Sequence, residues 1–318
     1  MSDRFQPLTT DQLVDWVFDE LEGQGSIFGV PRELFFVPER GDVFATSLYD
    51  QHLETPFGVA AGPHSQMAQN LVVAWLCGAR FMELKTVQIL DELEIPRPCI
   101  YIPNIGFNVE WSQELRVHES AREYISAWYL LHGLRQLGPD LFRGPSGDFL
   151  FDLSIGYGLE GIQGEKVTGF VQSLQDNTAV VEALRAEIAA SHPAWAQLEV
   201  PKTVVTSTTL STFHGCPADE IEGIAAHTLE AFGLHTVIKL NPTLLGYDSV
   251  RETLDQLGYG HIKLREKDFT ADLNWDQLMD FLPRLEEKAK KLGLGLGVKF
   301  SNTLVCENPD TPFSVDEM

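Results

Sequence analysis

Thr203-Val204-Val205-Thr206-Ser207-Thr208-Thr209-Leu210, a helical stretch over 217–232, and Thr236-Val237-Ile238-Lys239-Leu240 form the unit that decides the fold. β-Branched and apolar residues fill both short runs, which favours strands. A helix-length crossover between them is what two parallel strands need. The beat repeats on both sides. Upstream come Phe57-Gly58-Val59-Ala60, a helix over 66–77, and Phe81-Met82-Glu83-Leu84-Lys85-Thr86-Val87. A helix over 117–137 follows, then Phe149-Leu150-Phe151-Asp152-Leu153-Ser154-Ile155 and a long helical region over 166–191. Downstream, an amphipathic helix over 275–292 ends at Gly293, and Gly297-Val298-Lys299-Phe300 is a sixth strand. Six strand–helix beats predict an α/β fold with a parallel sheet, either doubly wound or part of a (β/α)8 barrel. Residues 1–54 read as a lead-in: a helix over 8–21 capped by Thr9 or Thr10, then an extended run at Val43-Phe44-Ala45. The barrel occupies 55–318, without a separating linker.

Composition narrows the function. Lys and Arg number 23 against 46 Asp and Glu, a net charge of −23, so phosphate backbones and anionic membranes are repelled. The four cysteines, Cys77, Cys99, Cys216 and Cys306, include no Cys-x-x-Cys pair, which argues against a zinc or iron–sulfur site held by this chain alone. No metal is expected. The start, Met1-Ser2-Asp3-Arg4-Phe5, lacks a signal-peptide core, and no apolar run reaches membrane-spanning length. A cytoplasmic chain with free thiols is the expectation. Cys77, Cys99 and Cys306 read as structural, and Trp111, Trp128 and Trp275 as core.

In a parallel α/β fold, ligands bind at the carboxyl ends of the strands. Here those ends are small or polar: Ala60-Ala61-Gly62-Pro63-His64-Ser65, Lys85-Thr86, Ser154-Ile155-Gly156, Ser211-Thr212-Phe213-His214-Gly215-Cys216-Pro217, Asn241-Pro242 and Ser301-Asn302-Thr303. Lys85 and Lys239 lie within apolar strands, where an unmet charge is costly. Either could be exposed on an edge strand. Both at carboxyl ends favour a shared electron-rich ligand, and a flavin ring supplies one, since a lysine at its N1–C2=O edge stabilises the reduced form. Ala60, Ala61 and Gly62 let backbone approach a flat ring. Cys216 with His214 reads as an acid/base or redox thiol, acidified by the helix N-terminus beside it, or as a packed thiol in a tight turn. His64 reads as a substrate contact or a cap. Gly156-Tyr157-Gly158-Leu159-Glu160-Gly161 has dinucleotide-motif spacing but follows the third strand, a weak signal.

Read in order, these strand ends resemble the dihydroorotate and dihydropyrimidine dehydrogenase flavin barrels. Pro56-Phe57-Gly58-Val59-Ala60-Ala61-Gly62 is similar to their first-strand FMN contact and Lys85-Thr86-Val87 to their flavin-contacting Lys-Thr. Asn104-Ile105-Gly106-Phe107-Asn108 is similar to their substrate loop, Lys239-Leu240-Asn241-Pro242 to a strand whose lysine meets FMN, and Ser301-Asn302-Thr303 to a strand end whose asparagine meets substrate. Over nearly the whole chain, Ala61-Gly62-Pro63-His64-Ser65-Gln66-Met67-Ala68-Gln69-Asn70, Glu83-Leu84-Lys85-Thr86-Val87-Gln88-Ile89-Leu90 and Phe213-His214-Gly215-Cys216-Pro217-Ala218-Asp219-Glu220-Ile221 resemble the amino-terminal part of the selenate reductase subunit YgfK family.

The resemblance implies a dihydroorotate dehydrogenase-like TIM-type barrel, truncated after about six strands. It implies FMN as cofactor, bound by Ala60, Ala61, Gly62, Lys85, Thr86 and Lys239. Asn104, Asn108, Asn241 and Asn302 would face a small oxidised or heterocyclic substrate, with Cys216 and His214 catalytic. FMN binding is expected to be weakened or lost, because the phosphate sits at loops after strands 7 and 8. The implied partner is a module carrying FAD, NAD(P) and iron–sulfur clusters. One departure is that Thr212-Phe213-His214-Gly215 precedes Cys216-Pro217 where the barrels have Asn-x-Ser-Cys-Pro-Asn. Two other classes fit the same residues: a non-catalytic scaffold with a degenerate flavin site, and an aldolase-like barrel using Lys239 as a Schiff base.

Overall fold

A computed structural model describes residues 6–38, 43–90, 100–101, 107–108, 113–138, 141, 148–211 and 215–307. The chain forms two compact units, Met1–Arg97 with Glu110–Ser154 and Glu165–Thr206, and Pro98–Val109 with Ile155–Gly164 and Ser207–Met318. The parallel strands are β1 (Gly58–Val59), β2 (Phe81–Glu83), β3 (Leu150–Ile155), β4 (Val205–Leu210), β5 (His235–Leu240) and β6 (Leu296–Phe300). The main helices are α1 (Thr10–Gly23), α2 (Ala68–Leu76), α3 (Val117–Leu137), α4 (Glu165–Gln175), α5 (Thr178–Ile188), α6 (Ala218–Glu230), α7 (Tyr247–Gln256) and α8 (Trp275–Leu292).

In the first unit β1, β2 and β3 pair in parallel, with Gly58 opposite Phe81 and Glu83 opposite Asp152. Gly58 is required by this pairing, because a Cβ there would lie 2.2 Å from the Phe81 carbonyl oxygen. Thr9 caps α1 through a reciprocal capping box with Gln12, and Leu13, Val14 and Val17 are buried. Helix α3 buries Tyr124, Trp128, Leu131 and Leu134 as its spacing predicts. The Trp128 ring meets Phe149 and Phe151 of the β3 segment, with centroids 5.1 and 5.5 Å away. Side chains alternate along a strand, so Leu150, Asp152 and Ser154 occupy the face turned away from α3.

Three sequence expectations are corrected in this unit. Val43-Phe44-Ala45 is not a strand. The extended pieces are Thr46–Leu48 and Gln51–Leu53, a hairpin whose turn residues Tyr49 and Asp50 hold φ of 50° and 62°. The helical region 166–191 is two helices, because Asp176 accepts from the Thr178 backbone while Asn177 turns its amide to the Pro201 carbonyl. The second strand ends at Glu83 rather than Val87, since the Lys85 N–H leaves the ladder for the Ser65 carbonyl, 3.1 Å away.

In the second unit β5 lies between β4 and β6, with Thr209 opposite Val237 and Lys239 opposite Lys299. The Thr236 hydroxyl meets that of Thr228 on α6 at 2.9 Å, and Ile238 and Leu240 are buried. His235, Val237 and Lys239 therefore occupy the opposite face. Helix α8 runs from a capping box at Asn274 to the left-handed Gly293, at the boundaries read from sequence. Trp275 begins this helix 51% exposed, which corrects its reading as core. Glu286 and Glu287 pair with Lys290 and Lys291 on the solvated face.

Candidate functional site

In the first unit, five predicted contacts cluster around the ends of β1 and β2. Ala60 is exposed, Ala61 half-buried and Gly62 buried. The Ala61 N–H donates to Glu83 Oε2 at 3.1 Å, and the Gly62 N–H donates to Ser65 Oγ at 3.1 Å. The His64 ring lies over Gly62, where a Cβ would come within 2.5 Å of a ring carbon. Lys85 is buried, its carbonyl accepting from the Tyr124 hydroxyl at 2.8 Å. Thr86 Oγ1 and Ser154 Oγ share a hydrogen bond of 2.8 Å.

Sequence reading missed two residues here. Glu83 and Asp152 are fully buried and sit opposite each other on neighbouring strands, on one sheet face. The signal was available, for each is a carboxylate inside an apolar run, the same anomaly that marks Lys85. Asp152 also acts on Tyr49: burial first, then the Asp152 charge, holds the phenol well above its ordinary pKa. Nearby, Glu123 accepts the Ala68 N–H at the start of α2, 2.7 Å away. Burial pushes its carboxyl up to about 7, opposed by that hydrogen bond and by Arg122.

The second unit gathers the other predicted groups at the carboxyl ends of β4, β5 and β6. Cys216, Lys239 and Asn241 line one small recess together with Asp272, Leu244 and Ile221. Asn302 donates its backbone N–H to the Leu240 carbonyl at 3.0 Å and its Nδ2 to Asn241 Oδ1 at 2.9 Å. Asn241 in turn donates Nδ2 to Asp272 Oδ2 at 3.2 Å, and Thr243 Oγ1 donates to the same oxygen at 2.6 Å. The other Asp272 oxygen accepts the Gly215 N–H. Asp272 went unnoticed in the sequence, where it sits in a polar stretch before α8. Lys299, beside Lys239, adds a second amine on the same sheet face.

The expected acidification of Cys216 is corrected. Its thiol is pushed up to about 12, by burial first and then by the carboxylates of Glu220, Asp219 and Asp272. The start of α6 brings Asp219 and Glu220 with it, and their charge adds to the effect of burial. Cys77, read as structural, is exposed. His214 and Asn104 lie outside the described residues. Of Asn108 the backbone alone is described, paired with Ile100 in a two-residue antiparallel ladder. Lys85 belongs to the first unit and Lys239 to the second. Among the described residues, no group of three or more His, Cys, Asp or Glu could hold a metal ion, and no helix is long and apolar enough to cross a membrane.

Comparison with known proteins adds three findings. The family model described as "Oxidoreductase YgfK, N-terminal TIM-barrel domain" matches residues 28–318. The YgfK proteins of Escherichia coli K12 and O157:H7 are each 40% identical over 349 aligned residues, covering 100% of this chain and 32% of theirs. This chain thus spans about a third of the length of those relatives. Among solved structures, DHODH from Eimeria tenella in complex with ferulenol aligns at a TM-score of 0.39 and 13% identity, over 95% of this chain and 82% of that one. An overlap so loose transfers no residue roles.

Proposed function

Because this chain belongs to the family of the oxidoreductase YgfK N-terminal TIM-barrel domain, we propose that it is an FMN-dependent oxidoreductase module exchanging a hydride with a small oxidised or heterocyclic substrate. The observation that carries the reading is the set of Lys239, Asn241, Asn302 and Cys216 at the carboxyl ends of one parallel sheet. That is where ligands bind in this fold class.

The residues fit a flavin ring. The N–H groups of Ala61 and Gly62 are already engaged by Glu83 and Ser65, so the 60–62 edge offers small side chains and flat backbone for van der Waals contact. Lys239 supplies a cation suited to the N1–C2=O edge. In this reading Lys239 holds the cofactor from the second unit, and Ala60, Ala61, Gly62, Lys85 and Thr86 of the first unit are proposed contacts on the family resemblance. When bound, FMN supplies reversible two-electron chemistry, accepting and returning a hydride.

The remaining roles belong to the chain. Asn302 and Asn241 orient substrate, and Asn104 and Asn108 would do so from the 104–108 segment. Cys216, protonated at neutral pH, would give a proton from Sγ rather than attack as a thiolate. His214, two residues away, would relay that proton to and from water. Electrons would pass to and from a partner module carrying FAD, NAD(P) and iron–sulfur clusters. Titrating the full chain into FMN and following flavin fluorescence tests the reading. Binding by the wild type, weakened roughly tenfold to a hundredfold in Lys239→Met, supports it, since a lost charge-assisted contact is worth roughly 1.5–3 kcal/mol. A wild type that binds no flavin refutes it.

A further inference from the structure

Asp272 is buried, and among the described residues its two oxygens accept the Gly215 N–H, Asn241 Nδ2 and Thr243 Oγ1. A carboxylate taking three hydrogen bonds in this way is an acceptor on both sides, with nothing to donate. Asn241 must therefore turn its amino group toward Asp272. Its oxygen is left facing Asn302, and that oxygen can only accept. Asn302 must then turn its own amino group toward Asn241, as observed at 2.9 Å. The orientation of one amide dictates the next.

We infer that Asp272 is a positioning residue whose carboxylate, acting through Asn241, fixes which polar atoms Asn302 presents. With one Nδ2 hydrogen committed to Asn241, Asn302 offers its Oδ1 and its second N–H. The same carboxylate anchors the Gly215-Cys216 turn after β4, so one buried group aligns the strand ends of β4, β5 and β6. Asn241 is the link between Asp272 and Asn302 in this chain of bonds. The inference relies on the proposed function solely for the use Asn302 makes of its remaining polar atoms. The relay itself is a property of the protein alone.

A double-variant cycle on the full chain tests it without any ligand, by chemical denaturation. In the wild-type background Asn302→Asp places a carboxylate against the Asn241 oxygen, two acceptors face to face. It is expected to raise the unfolding equilibrium constant about tenfold, the scale of one unmet buried polar contact. In the Asp272→Asn background Asn241 can turn over, accepting from the new amide at position 272 and donating to the new carboxylate at position 302. The same Asn302→Asp change is then expected to alter the constant less than about twofold. Repeating the cycle in molar salt screens charge repulsion between the two positions and should leave most of the coupling.

A second readout is the Asn302 side-chain amide in a ¹⁵N spectrum. Asp272→Asn alone should free its bonded Nδ2 proton and move both side-chain signals. Equal losses in the two backgrounds, or an Asn302 amide unmoved by Asp272→Asn, overturn the relay. Neither result depends on whether FMN binds, so failure of the relay is distinct from failure of the flavin reading.

Discussion

Glu123 offers the most direct check on the energetics. Its carboxyl is buried on α3 and its ordinary value of 4.5 is raised to about 7, chiefly by desolvation. The folded protein therefore holds this proton more tightly than the unfolded chain. Between those two values the native state binds more protons, so stability falls as pH rises. Below 4.5 both states are protonated and the site contributes no pH dependence. Above about 7 both are ionised and the full cost of the buried charge is present. The difference is roughly 2.5 pH units, or about 3 kcal/mol at 1.36 kcal/mol per unit. Glu123→Gln keeps an oxygen to accept the Ala68 N–H and removes the charge. Urea denaturation of wild type and variant should give matching stabilities near pH 4.5. The variant should then gain steadily, reaching about 3 kcal/mol above the wild type by about pH 8. A stability difference that stays constant across that range would refute the reasoning, because it would mean that Glu123 ionises as easily folded as unfolded.

Two other perturbations follow from packing and burial. Gly133→Ala puts a Cβ 2.3 Å from the Trp195 ring, and it should cost about 1–3 kcal/mol in denaturation although alanine favours helices; an unchanged midpoint would contradict the contact. Cys216, held as a thiol up to about 12, should be alkylated by iodoacetamide far more slowly than exposed Cys77 at about pH 8, with its rate still rising toward about pH 11, as read by peptide mass spectrometry; equal rates for the two cysteines would count against it.

How much of this was legible from sequence depended on whether the deciding interaction was local. Helix α8 was readable to the residue because Asn274, Gln277 and Gly293 act on their own neighbours. The break between α4 and α5 was not, since it depends on Asn177 finding the Pro201 carbonyl 24 positions away. The early end of β2 likewise depends on Ser65, on another segment. Lys85 and Lys239 stood out because a charge in an apolar run is anomalous. The same test, applied to carboxylates, would have found Glu83 and Asp152. Asp272 gave no signal, for an acidic residue between helices is commonplace. Its importance comes from partners 57, 31 and 29 residues distant. The choice between an acidified and a packed Cys216 stayed open for a related reason: the turn was visible, but the burial and charge around it were not.

The flavin assignment is tested most directly by the visible difference spectrum of FMN titrated with the full chain, read at equilibrium so that weak binding still registers. The account predicts that the wild type shifts the flavin bands as binding of the ring does, and that Lys85→Met and Lys239→Met need more protein to reach the same shift. A folded wild type that leaves the flavin spectrum unchanged at every concentration would contradict it.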